Sequence, residues 1–270
     1  MAGCFLIFKP SLLGSLLTCT LLAAAAPARA AGETVTACFD EEDRSGYAYL
    51  DAGGAWRGAA VDLVREMARQ AGVRLVLQPL PWARCLRLAK AETGDTVDFA
   101  FYASTNSERL ADYAFLGPIH HVTGGAWLVA ARTDLPHQLD SFETMGRYRL
   151  CGLAGSNYAW LKDVGMDRRI DAGAHNIKAA VTKLTLGRCD YLLGTGELRS
   201  SAERHGVSRA TMDTLAFAAY PKASPVGHYL LFNKQRPRQQ ANFDAFAAAL
   251  DQLSRTGAVK RIYGEYGLAP

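Results

Sequence analysis

Apolar residues fall along this chain in short blocks that alternate between two periods. Val35 to Phe39 and Val73 to Leu77 are brief stretches bounded by turn residues, the pattern of strands. Between them Val61, Val64, Met67, Ala68 and Ala71 recur at helical spacing, and Gly72 ends the run. Pro79-Leu80-Pro81-Trp82 then turns the chain into a second helical segment carrying Cys85, Leu86 and Leu88. The run Phe99-Ala100-Phe101-Tyr102 is short and aromatic-rich, as a strand buried on both faces would be. This β-α-β-α-β order predicts a mainly parallel sheet covered by helices, an α/β fold.

The pattern restarts after a strand at Ala126 to Ala131. Arg149 to Leu153 reads as a strand, Gly155-Ser156-Asn157 as a turn, and Tyr158 to Lys162 as a helix start. Asn176 to Leu186 is amphipathic, with Ile177, Ala180, Val181 and Leu184 on one face, and Tyr191 to Leu193 is the next strand. Val226 to Asn233 is a last strand, followed by helices over Phe243 to Leu253 and Val259 to Tyr266. Two βα halves imply two sheets.

Hydrogen-bonding groups gather where the aromatic strand ends. Ser104, Thr105, Asn106 and Ser107 follow Tyr102, and Arg109 comes within one helical turn. Ligands of open α/β sheets bind outside the carboxyl ends of the strands. A guanidinium there presents a planar fork that matches a carboxylate. Gly155-Ser156-Asn157 stands at the equivalent place in the second half, where backbone N–H groups ahead of a helix favour an anion. Trp82 sits after the proline turn, and Tyr47 on the first loop; both are placed to line a cleft.

Composition narrows the setting. The 270 residues are 49% hydrophobic and 21% charged, an ordinary globular balance. Lys9 precedes an apolar run from Ser11 to Ala26, and Ala28-Arg29-Ala30 is a small-x-small cleavage site. Residues 1–30 therefore read as a secretory signal peptide, which predicts a periplasmic protein. Without Lys9 and Arg29 the chain holds 28 basic and 26 acidic residues with no basic stripe, which argues against a nucleic-acid partner. Cys38, Cys85, Cys151 and Cys189 remain after cleavage; export to an oxidising compartment predicts disulfides, and three pairings are open. No Cys/His ligand spacing, P-loop, G-x-S-x-G or H-E-x-x-H occurs, so neither metal nor cofactor is expected.

Several motifs together resemble the periplasmic solute-binding proteins of the amino-acid ABC transporter type, family 3. Asp98, Ser104, the triplet Ser107-Glu108-Arg109 and Ala114-Phe115 are similar to that family's "G-x-x-D…T-x-E-R…F" segment, with Asn106 in place of its usual threonine. Gly58 to Leu63 resembles its "G-F-D-x-D-L" helix entry, with Ala59-Ala60 departing from Phe-Asp. Gly187 to Asp190 resembles its second "G-x-x-D", and Ala249 to Gly267 its C-terminal closure.

The resemblance implies a two-lobe type II periplasmic binding protein fold. Lobe one would hold residues 31–128 and 224–270, lobe two residues 129–223, with hinge crossings near Trp127 and Val226. Each expected disulfide, Cys38–Cys85 and Cys151–Cys189, then lies inside one lobe. Arg109 and Ser104 would hold the carboxylate of a small-molecule ligand, with Tyr102, Trp82 and Tyr47 beside it. Gly155, Ser156 and Asn157 would close over it. Amino-acid binders of this family often place an aspartate where Thr195 stands; Glu197, two residues on, is the nearest substitute. A carboxylate ligand is thus better supported than an α-amino acid. The implied use is delivery by a monomer to an ABC permease. Two other uses of the fold are a sensor for a membrane receptor and an enzyme of the cyclohexadienyl dehydratase type, with Glu197 as general acid.

Overall fold

The computed structural model describes residues 32–42, 46–163, 165–166, 170–221 and 225–270. The expected leader, residues 1–30, lies outside the described residues.

The first half runs β1 (Thr34–Asp40), a small hairpin of β2 (Tyr49–Leu50) and β3 (Trp56–Arg57), α1 (Ala59–Gln70), β4 (Arg74–Leu80), α2 (Trp82–Lys90), β5 (Phe99–Ala103), α3 (Ser107–Asp112) and β6 (Tyr113–Val122). The second runs β7 (Gly124–Val129), α4 (Phe142–Met145), β8 (Leu150–Leu153), α5 (Trp160–Asp163), β9 (Asp171–Ala174), α6 (Ile177–Thr185), β10 (Tyr191–Thr195), α7 (Leu198–Arg204), α8 (Arg209–Asp213) and β11 (Leu215–Ala219). The chain then returns through β12 (Val226–Asn233), α9 (Pro237–Arg255) and α10 (Ala258–Gly264).

The strands form two five-stranded sheets, β4-β1-β5-β12-β6 and β11-β7-β10-β8-β9. In each, one strand opposes the rest: β12 in the first and β7 in the second. The mainly parallel α/β architecture expected from the sequence is the one found. The first crossing between sheets is earlier than expected. Trp127 is not at a crossing but inside β7, paired with Leu192 on one side and Phe217 on the other, so the chain changes sheets at Thr123. The return lies between Ala219 and Val226.

Helix α1 buries Val61, Val64, Met67 and Ala68, the stripe its spacing predicts, and Gly72 leaves it at φ 68°. The first core is aromatic: Phe99 packs on Phe232 and Phe246 with ring centroids 4.9 and 5.0 Å apart. The two "G-x-x-D" aspartates are matching staples. Asp98, just before β5, accepts from Thr36 N at 2.7 Å and Gln239 Nε2 at 3.0 Å. Asp190, just before β10, accepts from Arg149 N at 2.9 Å and Nη2 at 2.8 Å, and these bonds hold its carboxyl below the usual range. Both disulfides pair as expected. Cys38–Cys85 ties β1 to α2 and Cys151–Cys189 ties β8 to the start of β10, with Cα separations of 5.6 and 5.8 Å.

Candidate functional site

The carboxyl ends of β1, β5, β8 and β10 open on one cleft of about 1040 Å³ between the sheets. Arg109 lines it from α3. The side chain of Asn106 caps that helix by accepting from Arg109 N at 2.6 Å, which fixes where the guanidinium emerges. Arg109 Nη1 donates to Ser104 O at 2.8 Å, and the guanidinium lies 5.7 Å from the Trp82 ring centre. Among the described residues no carboxylate pairs with it: Asp112, three residues on, instead bonds Lys90 at 2.7 Å. Arg109 is buried, and desolvation opposes its charge. Arg109 is thus a buried, fixed cation beside an open cavity, without an acidic partner among the described residues.

Asn157 reaches over from the second sheet to the same strand end. Its Nδ2 donates to Ser104 Oγ at 3.0 Å and to Thr105 O at 3.1 Å. Its Oδ1 accepts from Asn106 Nδ2 at 2.7 Å. Asn106, the departure from the usual threonine, thus does two jobs: it caps α3 and bridges the sheets. Helix α5 starts only at Trp160 and spans four residues, so the turn before it supplies the Asn157 amide rather than a helix N-terminus. Ser156 lines the cleft. Gly155, with φ 77°, lies beside it rather than in its wall: a Cβ there would sit 3.7 Å from Ala83 Cβ and 3.9 Å from Trp82 Cδ1.

Thr195 and Glu197 line the second-sheet side; the carbonyl of Thr195 accepts from the Trp127 indole at 2.9 Å. Tyr102 lines the first-sheet side in a strained backbone. The β5–β12 register slips here, leaving Tyr102 as the extra residue of a bulge at φ 70°. Such a position costs a side-chain-bearing residue roughly 1–2 kcal/mol and is characteristic of functional sites. The bulge aims the Tyr102 ring at His228, stacked at 4.5 Å, and at His120 at 4.6 Å. Tyr47, like Gly155, is an expected ligand residue that does not line the cleft. It is buried behind it, stacked on His120 at 4.2 Å, because its ring fills the first core. Burial, with the Glu197 charge adding, pushes its phenol up to about 12.

His120 is fully buried, and desolvation, with His228 and His121 adding, pushes its pKa down to about 2. The native ring therefore stays neutral while an unfolded histidine takes a proton near pH 6.5. Its folded pKa lies below the unfolded one, so acid favours the unfolded chain. Stability is expected to fall by about 1.4 kcal/mol per pH unit between roughly pH 6 and 4 from this group. Denaturant melts of wild type and His120→Phe across that range check it: the variant should show the shallower slope.

Residues 37–269 match the model of the bacterial extracellular solute-binding proteins, family 3. The chain belongs to this family. Solved structures share the fold at low identity. A histidine kinase sensor domain with similarity to periplasmic binding proteins superposes at a TM-score of 0.70 with 18% identity, over 90% of this chain and 100% of that one. The arginine-, lysine-, histidine-binding protein ArtJ of Geobacillus stearothermophilus gives 0.67 and 17%, covering 88% and 97%. AbpA of Streptococcus pneumoniae, an amino acid ABC transporter substrate-binding protein bound to L-arginine, gives 0.66 and 16%, covering 86% and 94%. No curated protein sequence matches. Family membership makes this an extracytoplasmic binding protein for a small ligand.

Sequence reasoning missed part of this family-3 protein's cleft. Asp40, Phe142, Trp160 and Tyr220 all line it. Asp40 ends β1, at the carboxyl edge of the first sheet. His228 lines the cleft while His120 lies behind it and His121 is exposed. The aromatic triplet carried a signal in Tyr158-Ala159-Trp160 and Tyr220-Pro221, both beside points where the chain turns between layers.

Proposed function

We propose that this protein captures a small carboxylate by closing two lobes, and delivers it in the periplasm to an ABC permease. The reading takes residues 1–30 as a cleaved signal peptide. Lobe one is the first sheet with its helices, up to Thr123 and again from Pro225; lobe two is the remainder. The observation that carries it is Arg109: buried, held by the α3 cap, and without an acidic partner among the described residues. Ser104 supplies a hydroxyl beside it, and Asn157 brings lobe two onto the same strand end. Closure is favoured only by contacts absent when the lobes part, which makes the Asn157 amide part of the switch. A thermal-shift screen of organic acids, amino acids and uncharged analogues tests the reading, since a ligand raises the midpoint by mass action. A midpoint raised by uncharged analogues and by no carboxylate would sink it.

Asn157→Ala removes three hydrogen bonds between the lobes. At about 1 kcal/mol each, partly replaced by water, roughly a 10-fold loss of ligand affinity is expected. Calorimetry measures the loss, and small-angle scattering should show a more open unliganded protein.

A sensor use is the second reading, favoured by one observation: the histidine kinase sensor domain is covered over 100% of its length. The same ligand would then drive docking on a membrane receptor. Pull-down from membranes with and without ligand separates a permease from a kinase partner.

A further inference from the structure

We infer that the ligand is an aromatic carboxylate, whose ring rests on a subsite formed by Phe142, Trp160 and Tyr220. This deepens the carboxylate reading above and rests on it. The three rings line the same cleft as Arg109 but come from the second-sheet side. They pack on one another, with centroids 5.5 Å apart for Phe142–Trp160, 5.8 Å for Phe142–Tyr220 and 5.1 Å for Trp160–Tyr220. Rings that close leave no hollow for a cation between them, so they make a wall rather than a cage. Glu143, the acid beside Phe142, is exposed and bonded to Arg147 at 3.0 Å.

The polar atom of Trp160 is turned to the backbone: its Nε1 donates to Asn157 O at 3.1 Å. The neighbouring Tyr158 hydroxyl accepts from Leu153 N at 2.8 Å. What these rings offer a ligand is apolar surface and π faces, and a ring of the ligand gains most from both.

The backbone is also cut to fit them. A Cβ on Gly124 would come within 2.9 Å of Tyr220 Cδ2, and one on Gly152 within 2.0 Å of Tyr158 Oη. β7 therefore carries glycine where Tyr220 lies on it, and β8 where the neighbouring Tyr158 does. Polar groups and rings line the cleft from both sheets, and Phe142, Trp160 and Tyr220 form a cluster of mutually packed rings on the second-sheet side. The cleft's volume, about 1040 Å³, suits a ring-bearing molecule better than a short aliphatic acid.

Calorimetry on the full mature chain with three probes tests the inference: 3-phenylpropionate, pentanoate and 3-phenylpropionamide. The expected order is 3-phenylpropionate at least 10-fold tighter than pentanoate, with the amide weaker than both. Equal or tighter binding of pentanoate would overturn the aromatic subsite and leave the carboxylate reading standing. An amide as tight as its acid would overturn the carboxylate reading and leave the ring subsite standing. Binding of none of the three overturns the aromatic carboxylate. In Trp160→Leu the preference for 3-phenylpropionate over pentanoate is expected to fall to about 2-fold or less. A preference left intact in a folded variant removes Trp160 from the subsite.

Discussion

Arg109→Ala is expected to weaken carboxylate binding roughly 100-fold or more while leaving the fold intact. Two terms set the size. The guanidinium is buried, so its attraction for a carboxylate is little screened, and its planar fork can meet both carboxylate oxygens at once. Without it the ligand's charge would enter the cleft unpaired, which is the larger part of the loss. The effect on stability runs the other way. Desolvation already opposes the Arg109 charge, so its removal relieves a cost, offset by the lost bond to Ser104 O at 2.8 Å. The unliganded midpoint should therefore move little, by the equivalent of about 1 kcal/mol. Arg109→Lys separates charge from geometry: it keeps the cation and loses the fork, and roughly a 10-fold loss is expected. Calorimetry with the ligand found by thermal shift, alongside melts of each variant, measures both. An alanine variant that binds as tightly as wild type would refute the proposed mechanism.

The sequence spoke most clearly where burial is deepest. The strands at the centre of each sheet, β1, β5, β8, β10 and β12, are apolar on both faces, and each was legible as a short hydrophobic run. Besides the two-residue strands β2 and β3, the strands it concealed, β6, β9 and β11, are edge strands, whereas the fourth edge strand, β4, was legible because its run Val73 to Leu77 is largely apolar. An edge strand needs no alternation on its outer side and tolerates residues that would break a central one. β6 carries Gly117-Pro118, which reads as a turn, yet pairs with β12 on its other side. Within the site, Arg109 and Ser104 were legible because a strand end followed by a cap and a cation is a local pattern. Asn157 was legible as part of a turn, but its bonds to Ser104, Thr105 and Asn106 span 51 to 53 residues and depend on how the sheets meet. The aromatic wall was hidden for the same reason. Phe142, Trp160 and Tyr220 are far apart in sequence, and each alone looks like core. Tyr47 misled in the opposite sense: it stands in the loop expected to face the cleft, and its ring turns inward onto His120.

The disulfides carry the second large effect. Cys38–Cys85 closes a separation of 47 residues and Cys151–Cys189 one of 38. Loop-closure entropy alone gives each about 4 kcal/mol, by constraining the unfolded chain. For a domain of this size that is a fall in melting midpoint of roughly 8–16 °C for each bridge removed. The pair variants Cys38→Ala with Cys85→Ala, and Cys151→Ala with Cys189→Ala, are expected to show it, measured by calorimetry or circular dichroism. The two bridges lie in different sheets with separate cores, so their effects should be close to additive. All four cysteines are buried, at 0 to 3% exposure, so a reductant can reach them only when the structure opens. Dithiothreitol should therefore leave the native protein at room temperature untouched over minutes, and lower the midpoint only as heating exposes the bridges. Reduction should lower the midpoint of each pair variant less than that of wild type, because one bridge is already gone. A pair variant that melts within about 2 °C of wild type would show that its bridge does not constrain the chain, and midpoints of both variants that ignore reductant would show that neither remaining bridge forms.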